Sequence, residues 1–345
     1  MNKELHFIRA NTDKYGGAER YLSRLSEALI KQKTPHKIVN SIFPKFIPSW
    51  LRAILFNLQV SLSKKNNFYF SLERISCPDI YRAGDGVHKV FLKSQKKSRF
   101  NLLHPVYLYL EKTCFKNAKC IIANSYMIKN QIINSYDINP NKIKVIYSGI
   151  GSKEINFHSS FEKLSEEYSI TADNAVFLFV GSGFKRKGVL EFLQIIAKLD
   201  KENIKAFVIG REKNPKYYLD VAKNLGIGSK VIFTGPREDV SDFYNISDIF
   251  ILPTHYEPFS NVVIEALQSE NVVFTTKQNG ASEILEDKFI MKNPNDFSIV
   301  ATIEEFLENK MLLKQVKNEN KLLSKKFSIE KNLDETLKAI NEVIN

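Results

Sequence analysis

The chain has 345 residues, of which 43% are hydrophobic and 26% charged, with 14 Gly and 11 Pro. That excludes a small stapled scaffold and a disordered or collagen-like chain, and it is enough for two domains that each bury a core. The net charge of +12 is one-sided: residues 1–155 carry 26 Lys and Arg against 10 Asp and Glu, and the remainder carries 24 against 28. A basic first half points to an anionic partner, whether nucleic acid, anionic lipid or a phosphorylated acceptor.

Cys77, Cys114 and Cys120 form no C-x-x-C pair, so neither a disulfide framework nor a thiolate zinc site is encoded, and a reducing compartment fits best. The N-terminus has no secretory-signal pattern, so nothing is expected to export the chain. No uncharged apolar run approaches the roughly 18 residues that span a bilayer. The longest, residues 102–110, is broken by His104 and Pro105. Any membrane contact is expected to be peripheral.

The predicted elements begin with a strand at residues 5–8, which leads through Gly16 and Gly17 into a helix at 18–31; another strand begins at Ile38 and Val39. Two basic segments follow. In residues 44–67, Trp50, Leu51, Ile54, Leu55, Leu58, Val60 and Leu62 lie among Lys45, Arg52, Lys64 and Lys65. In residues 89–119, five cations between Lys89 and Arg99 precede an aromatic stretch from Phe100 to Tyr109. Such segments either lie on an anionic membrane surface or cover the first sheet with their apolar faces. Residues 120–123 and 144–146 read as strands, and 149–160 as a linker.

From residue 175 the pattern becomes regular. Strands at 176–180, 206–209, 231–233, 249–252 and 272–274 alternate with helices at 189–199, 217–225, 240–246 and 260–268. This alternation predicts a parallel sheet of five or six strands covered on both faces. The expected architecture is α/β: two doubly wound, Rossmann-like domains in tandem, at 1–155 and 156–325. Residues 326–345 are expected to form a helix that packs back on the first domain.

Two segments carry chemistry. Gly181-Ser182-Gly183-Phe184-Lys185-Arg186-Lys187-Gly188 follows a strand and opens a helix, so its backbone N–H groups and cations are expected to face an anion. A diphosphate leaving group gains charge as its bond to carbon breaks, which Arg186 and Lys187 would stabilise. Glu257 lies at the end of the strand at 249–252, and Glu265 sits about two turns into the next helix. Carboxylates in such places suit sugar hydroxyls, because each accepts more than one O–H donor.

Glu257-x7-Glu265, the Gly181–Gly188 turn and Gly16-Gly17-Ala18-Glu19-Arg20 together resemble the retaining family-4 glycosyltransferases of the GT-B fold. Within that family, the segments at 180–189 and 235–240 and the loop Tyr81-Arg82-Ala83-Gly84-Asp85-Gly86-Val87-His88 are similar to those of lipopolysaccharide-core α-glucosyltransferases. The resemblance implies two domains facing a central cleft. It implies that Arg186 and Lys187 hold the donor diphosphate, that Glu265 holds the ribose, and that Glu257 holds the donor-sugar hydroxyls. Phe259, Ser260, Asn261 and Val262 would meet the distal phosphate and sugar, and Gly16, Gly17 and Gly181 would allow close backbone approach to the diphosphate. Gly210, Pro236 and Arg237 would border the nucleobase. Asp85 would stand near the anomeric centre, with His88 as a second candidate.

Two positions depart from the family pattern. Pro258 replaces a small residue and Gly183 replaces an acid, and both bear on donor choice. The chain has no D-x-D pair to hold Mg²⁺ or Mn²⁺, so no metal and no cofactor are expected, and cations would do that work. The expected activity is bacterial: retaining transfer of a hexose from a nucleoside diphosphate sugar, such as a UDP-hexose, to a lipopolysaccharide or lipooligosaccharide core acceptor. The expected site of action is the inner face of the cytoplasmic membrane, on an anionic lipid surface. Two other readings remain: a sugar-nucleotide 2-epimerase on the same fold, and a non-catalytic anion-binding module. No groove-reading helix or stacking platform is evident, so nucleic acid is not an expected partner.

Overall fold

Leu5-His6-Phe7-Ile8 is buried at every position, which requires cover on both faces of the sheet it enters. The computed structural model describes residues 4–11, 17–95 and 101–344, and it shows that cover. Gly16 and the cations Lys96, Lys97 and Arg99 lie outside the described residues. The chain divides into two units, Met1–Tyr147 with Glu330–Asn345, and Ser148–Ile329.

In chain order the first unit contains β1 (Leu5–Ile8), α1 (Gly17–Lys31), β2 (His36–Val39), α2 (Ser49–Ser63), β3 (Phe68–Ser71), β4 (Ile80–Arg82), α3 (His88–Gln95), α4 (Leu103–Asn117), β5 (Cys120–Ala123), α5 (Tyr126–Tyr136) and β6 (Ile143–Val145). Its strands pair in parallel in the order β2-β1-β3-β4-β5-β6. Alternate side chains face opposite sides of a strand. Leu5, Phe7, Phe68 and Phe70 accordingly pack with Leu22, Leu25 and Leu29 of α1 on one side. On the other side, Ile8 and Tyr69 pack with Phe56 and Val60 of α2. The apolar face of the first basic segment therefore does cover the sheet at those two positions, while Leu58 and Leu62 of the same helix remain 50% and 82% exposed.

The second unit contains α6 (Phe157–Tyr168), β7 (Ala175–Val180), α7 (Phe184–Lys187), α8 (Val189–Lys198), β8 (Ile204–Ile209), α9 (Pro215–Asn224), β9 (Val231–Gly235), α10 (Val240–Ile246), β10 (Ile249–Leu252), α11 (Asn261–Gln268), β11 (Val272–Thr276), β12 (Ile290–Met291), α12 (Ile299–Glu308) and α13 (Lys310–Ser324). Its order is β12-β11-β10-β7-β8-β9, again parallel throughout. The final helix, α14 (Ile329–Ile344), places Ala339 and Ile340 in the core of the first unit. The first unit thus ends at Tyr147 rather than at 155, and its C-terminal part starts at Glu330 rather than 326.

Both sheets change direction once. In the second unit the chain moves outward from β7 through β8 to β9, then returns to the other flank of β7 with β10. In the first unit the reversal lies between β1 and β3. Loops leaving the carboxyl ends of such strand pairs diverge and open a crevice, the usual ligand position in open α/β sheets.

Candidate functional site

At the second unit's reversal, the loop after β7 is tighter than the sequence pattern suggests. One turn of helix, α7, is held between two glycines at positive φ, Gly183 (76°) and Gly188 (86°). A Cβ at Gly188 would run into the Pro253 carbonyl just beyond β10, and one at Gly210 (φ 151°) into the Gly181 carbonyl, so both positions require glycine. Three of the amides expected to face an anion are engaged within the unit. The Gly181 amide donates to the Ile209 carbonyl, that of Gly183 to the Arg211 carbonyl, and that of Phe184 to Glu212 Oε2 at 2.9 Å. A carboxylate of the chain itself already sits at the α7 N-terminus. The loop also carries the cationic side chains of Arg186 and Lys187.

Those side chains meet the loop after β10. Arg186 Nη1 and Lys187 Nζ each lie 2.5 Å from Glu257 Oε2, and Arg186 Nη1 also donates to the Tyr256 carbonyl at 3.0 Å. Gly181 leaves room for the lysine stem, since a Cβ there would stand 3.2 Å from Lys187 Cγ. The hydroxyl of Ser260 is 3.5 Å from Lys187 Nζ. Burial pushes the Glu257 carboxyl upward, but Lys187 and Arg186 outweigh it and leave it below its ordinary value. Burial also dominates at Lys187, where it lowers the ammonium despite the attraction of Glu257. The three residues form a cluster of two cations and one anion, with an excess of positive charge held partly out of water.

Beside this cluster, α11 begins at Asn261 with no side-chain cap from Ser260. Phe259 and Ser260 are buried, Asn261 is exposed and Val262 is half-buried. Glu265 is half-buried and accepts a hydrogen bond from the Tyr244 hydroxyl at 3.3 Å. The loop is pinned by buried Asn279, a residue the sequence pattern does not single out, whose Oδ1 accepts from the Ser260 amide at 3.2 Å and the Ala281 amide at 3.1 Å. The signal that could have found it is the Asn279-Gly280 pair after β11, a turn dipeptide. Glu212 has no comparable local signal.

Arg237 is tied up elsewhere in the same unit. Its Nε and Nη2 donate to Asp239 at 2.8 Å, Nη1 and Nη2 donate to Glu167 at 2.9 and 3.0 Å, and Nη1 also reaches the Tyr168 hydroxyl at 3.5 Å. A guanidinium has five N–H donors, so these bonds leave Arg237 none with which to hydrogen-bond a nucleobase, and bordering one would fall to the face of its plane. Pro236 beside it is exposed.

In the first unit, Gly17 opens α1. Asp85 is exposed in the loop between β4 and α3 and makes no hydrogen bond among the described residues. His88 begins α3, with Nε2 3.2 Å from His104 Nδ1 and its ring against Tyr107 at 5.3 Å. Burial, with Arg74 and His104 adding to it against the pull of Glu111, lowers the His88 imidazole to about 4. It is therefore neutral at physiological pH. The loop is braced by fully buried Glu111, which accepts from the His88 amide (2.6 Å), the Lys89 amide (3.2 Å), Arg74 Nε (3.0 Å) and the Tyr136 hydroxyl (2.6 Å).

Comparison with known proteins agrees with this layout. Residues 160–323 match the model for glycosyl transferases group 1, and residues 81–153 match glycosyltransferase family 4. The lipopolysaccharide glucosyltransferase WaaG of Escherichia coli is 27% identical over 222 residues, 61% of this chain and 58% of that protein. A Campylobacter jejuni 4-alpha-N-acetylgalactosaminyltransferase, named for its diphospho-undecaprenol-linked substrate, is 27% identical over 235 residues, 67% of this chain and 62% of that one. The chain thus spans about three fifths of the length of these curated relatives. Among solved structures, WaaG superimposes with a TM-score of 0.80 at 19% identity, covering 96% of this chain and 98% of that one. Anabaena HepE, solved with UDP-glucose, gives 0.73 at 18% identity over 97% and 99%. The fold is GT-B.

Proposed function

Because this chain belongs to the group 1 and family 4 glycosyltransferases, we propose that it transfers a hexose, with retention of configuration, from a nucleoside diphosphate sugar to a saccharide of the lipopolysaccharide or lipooligosaccharide core type. The observation that carries this reading is the convergence of Arg186, Lys187 and Glu257 where β7 and β10 diverge. Two cations sharing one carboxylate retain net positive charge, and a diphosphate answers it. As phosphate oxygens take over Arg186 and Lys187, the Glu257 carboxylate is released to accept sugar hydroxyls. Cleavage of the bond between the anomeric carbon and the phosphate oxygen leaves negative charge on the diphosphate, which the same cations stabilise without a metal. The acceptor hydroxyl attacks from the face that the phosphate leaves, and its proton passes to the departing phosphate oxygen. HepE was solved with UDP-glucose, which supports a uridine nucleotide as the first donor to test.

A membrane-linked acceptor is supported by the first unit's exposed apolar side chains, Ile42 (76%), Phe46 (86%) and Leu62 (82%), set in the basic half of the chain. No helix among the described residues is long and apolar enough to cross a membrane.

The test is a calorimetric and turnover panel of UDP, UDP-glucose, UDP-galactose, UDP-N-acetylglucosamine and ADP-heptose. Arg186→Ala and Lys187→Ala should each weaken UDP binding about tenfold or more, the scale of a lost charge-assisted hydrogen bond. Glu257→Ala should keep UDP binding and lose sugar-dependent turnover. Unchanged UDP affinity in both cation variants would overturn the reading.

A further inference from the structure

The first unit has a reversal of its own, and at it, between the ends of β1 and β3, lies a cavity of about 80 Å³ that the donor reading leaves unused. Asn11 follows β1, Glu73 follows β3, Ser49 and Arg52 come from the first turn of α2, and Tyr107 and Phe56 complete the wall. Glu73 Oε1 accepts from Arg9 Nη1 at 2.9 Å and from the Ala10 amide at 3.1 Å. Its Oε2 accepts nothing from the described residues. Half-buried Arg52 makes no side-chain hydrogen bond or ion pair among them, and the same holds for the Ser49 and Tyr107 hydroxyls. Glu73 with its idle carboxylate oxygen, Arg52 and Tyr107, all half-buried, therefore line one small space together with Arg74, whose Nε and Nη2 are held by Glu111 and the Gly86 carbonyl, while Ser49 is exposed.

Groups of this kind left partly out of water call for partners. The volume is far below the roughly 300 Å³ at which pockets for whole small molecules begin, so it admits one edge of a ring. Arg74 also lines the space and, with Arg9, acts on the Glu73 carboxyl against exposed Asp85, so the wall carries both signs and an anion would meet Glu73 as well as the arginines. A neutral polyol satisfies both signs: its hydroxyls donate to the carboxylate while their oxygens accept from the guanidinium.

We propose that this cavity is a sugar-hydroxyl subsite for the acceptor, in which Glu73 and Arg52 grip adjacent hydroxyls of one pyranose edge and Tyr107 stacks on or bonds to its rim. The assignment rests on the glycosyl-transfer reading and narrows the acceptor to one that presents a neutral diol there. Burial raises the Glu73 carboxyl above its ordinary value, with Arg9 pulling it back, and a hydroxyl donated to Oε2 would stabilise its charged form.

The experiment is saturation-transfer NMR on the full chain with methyl α-D-glucopyranoside, methyl α-D-mannopyranoside and methyl α-D-galactopyranoside, with a UDP titration on the same samples. At least one glycoside should bind the wild type. Arg52→Ala, which removes no side-chain hydrogen bond or ion pair within the described fold, and Glu73→Gln should weaken that glycoside about tenfold while UDP affinity stays within about twofold. Equal glycoside binding by wild type and Arg52→Ala, or no glycoside binding by a wild type that binds UDP, overturns the subsite. Loss of UDP binding by the wild type itself overturns the donor reading instead.

Discussion

Glu257 and Glu73 occupy corresponding places, each in a loop at the reversal of a parallel sheet, and their side chains are 16% and 19% exposed. Their chemistry is nevertheless opposite. Glu257 has two cations to itself, and its carboxyl is held below the ordinary value despite burial. Glu73 has one ion-pair partner, Arg9, which also binds Glu19 at 2.7 Å, and burial leaves its carboxyl above the ordinary value. Topology supplies the crevice in both units, and the count of neighbouring charges decides what each crevice accepts. A closed cationic cluster selects an anion, whereas a carboxylate with an idle oxygen selects a hydroxyl.

The largest effect expected is at the backbone that builds the second unit's cluster. Gly188→Ala places a methyl group against the Pro253 carbonyl at a positive φ, and the two penalties together should cost about 2–5 kcal/mol. Gly183→Ala, equally left-handed but with nothing within 4 Å, should cost only about 1–2 kcal/mol. Thermal unfolding of the two variants separates steric from conformational strain. Equal losses would show that the approach of β7 and β10 is not what demands Gly188.

Next in size is Glu257→Gln. Removing one member of a buried ion pair costs about 3–5 kcal/mol when no partner replaces it, less here because Arg186 is 31% exposed. The free variant should therefore unfold at a lower temperature than wild type. UDP should restore more stability to the variant than to wild type, because the nucleotide no longer competes with a carboxylate for the two cations. A smaller UDP-induced rise in melting temperature in the variant would mean that Glu257 holds the cations in place rather than occupying a ligand's position. Glu73→Gln should show no such coupling to UDP.

How much of this was legible in the sequence follows the same division. In the second unit, strand-length apolar runs such as Val176-Phe177-Leu178-Phe179-Val180 alternate with amphipathic helices, so β7 to β11 and the place of Arg186, Lys187 and Glu257 in loops after strands can be read from the sequence, while the ion pairs among the three cannot. In the first unit, β3 and β4 have only four and three residues, and Arg82 ends the second of them. They are strands because β1 and β5, remote in sequence, supply their partners. With β3 unseen, Glu73 is one acid among many, and the crevice beside it has no address. Glu212 was hidden for a related reason, since 28 residues separate it from the Phe184 amide that it accepts.

The smallest effect expected is also the most direct measure of the difference between the two glutamates, because it uses proton linkage and needs no ligand. Glu257 binds its proton less tightly when folded than when unfolded, so its contribution to stability is present above the ordinary glutamate value of 4.5 and is lost as pH falls through the folded value. Glu73 binds its proton more tightly when folded, so its contribution has the opposite sign: stability is lost as pH rises from 4.5 through the folded value. Denaturant unfolding of wild type, Glu257→Gln and Glu73→Gln between about pH 3 and 7 should therefore give difference curves of opposite slope, each reaching about 1.4 kcal/mol for every tenfold change in proton affinity on folding. Wild type should gain on Glu257→Gln as pH rises through the acid end of that range, and lose ground to Glu73→Gln above 4.5. Slopes of the same sign would mean that Arg9 compensates Glu73 as fully as two cations compensate Glu257.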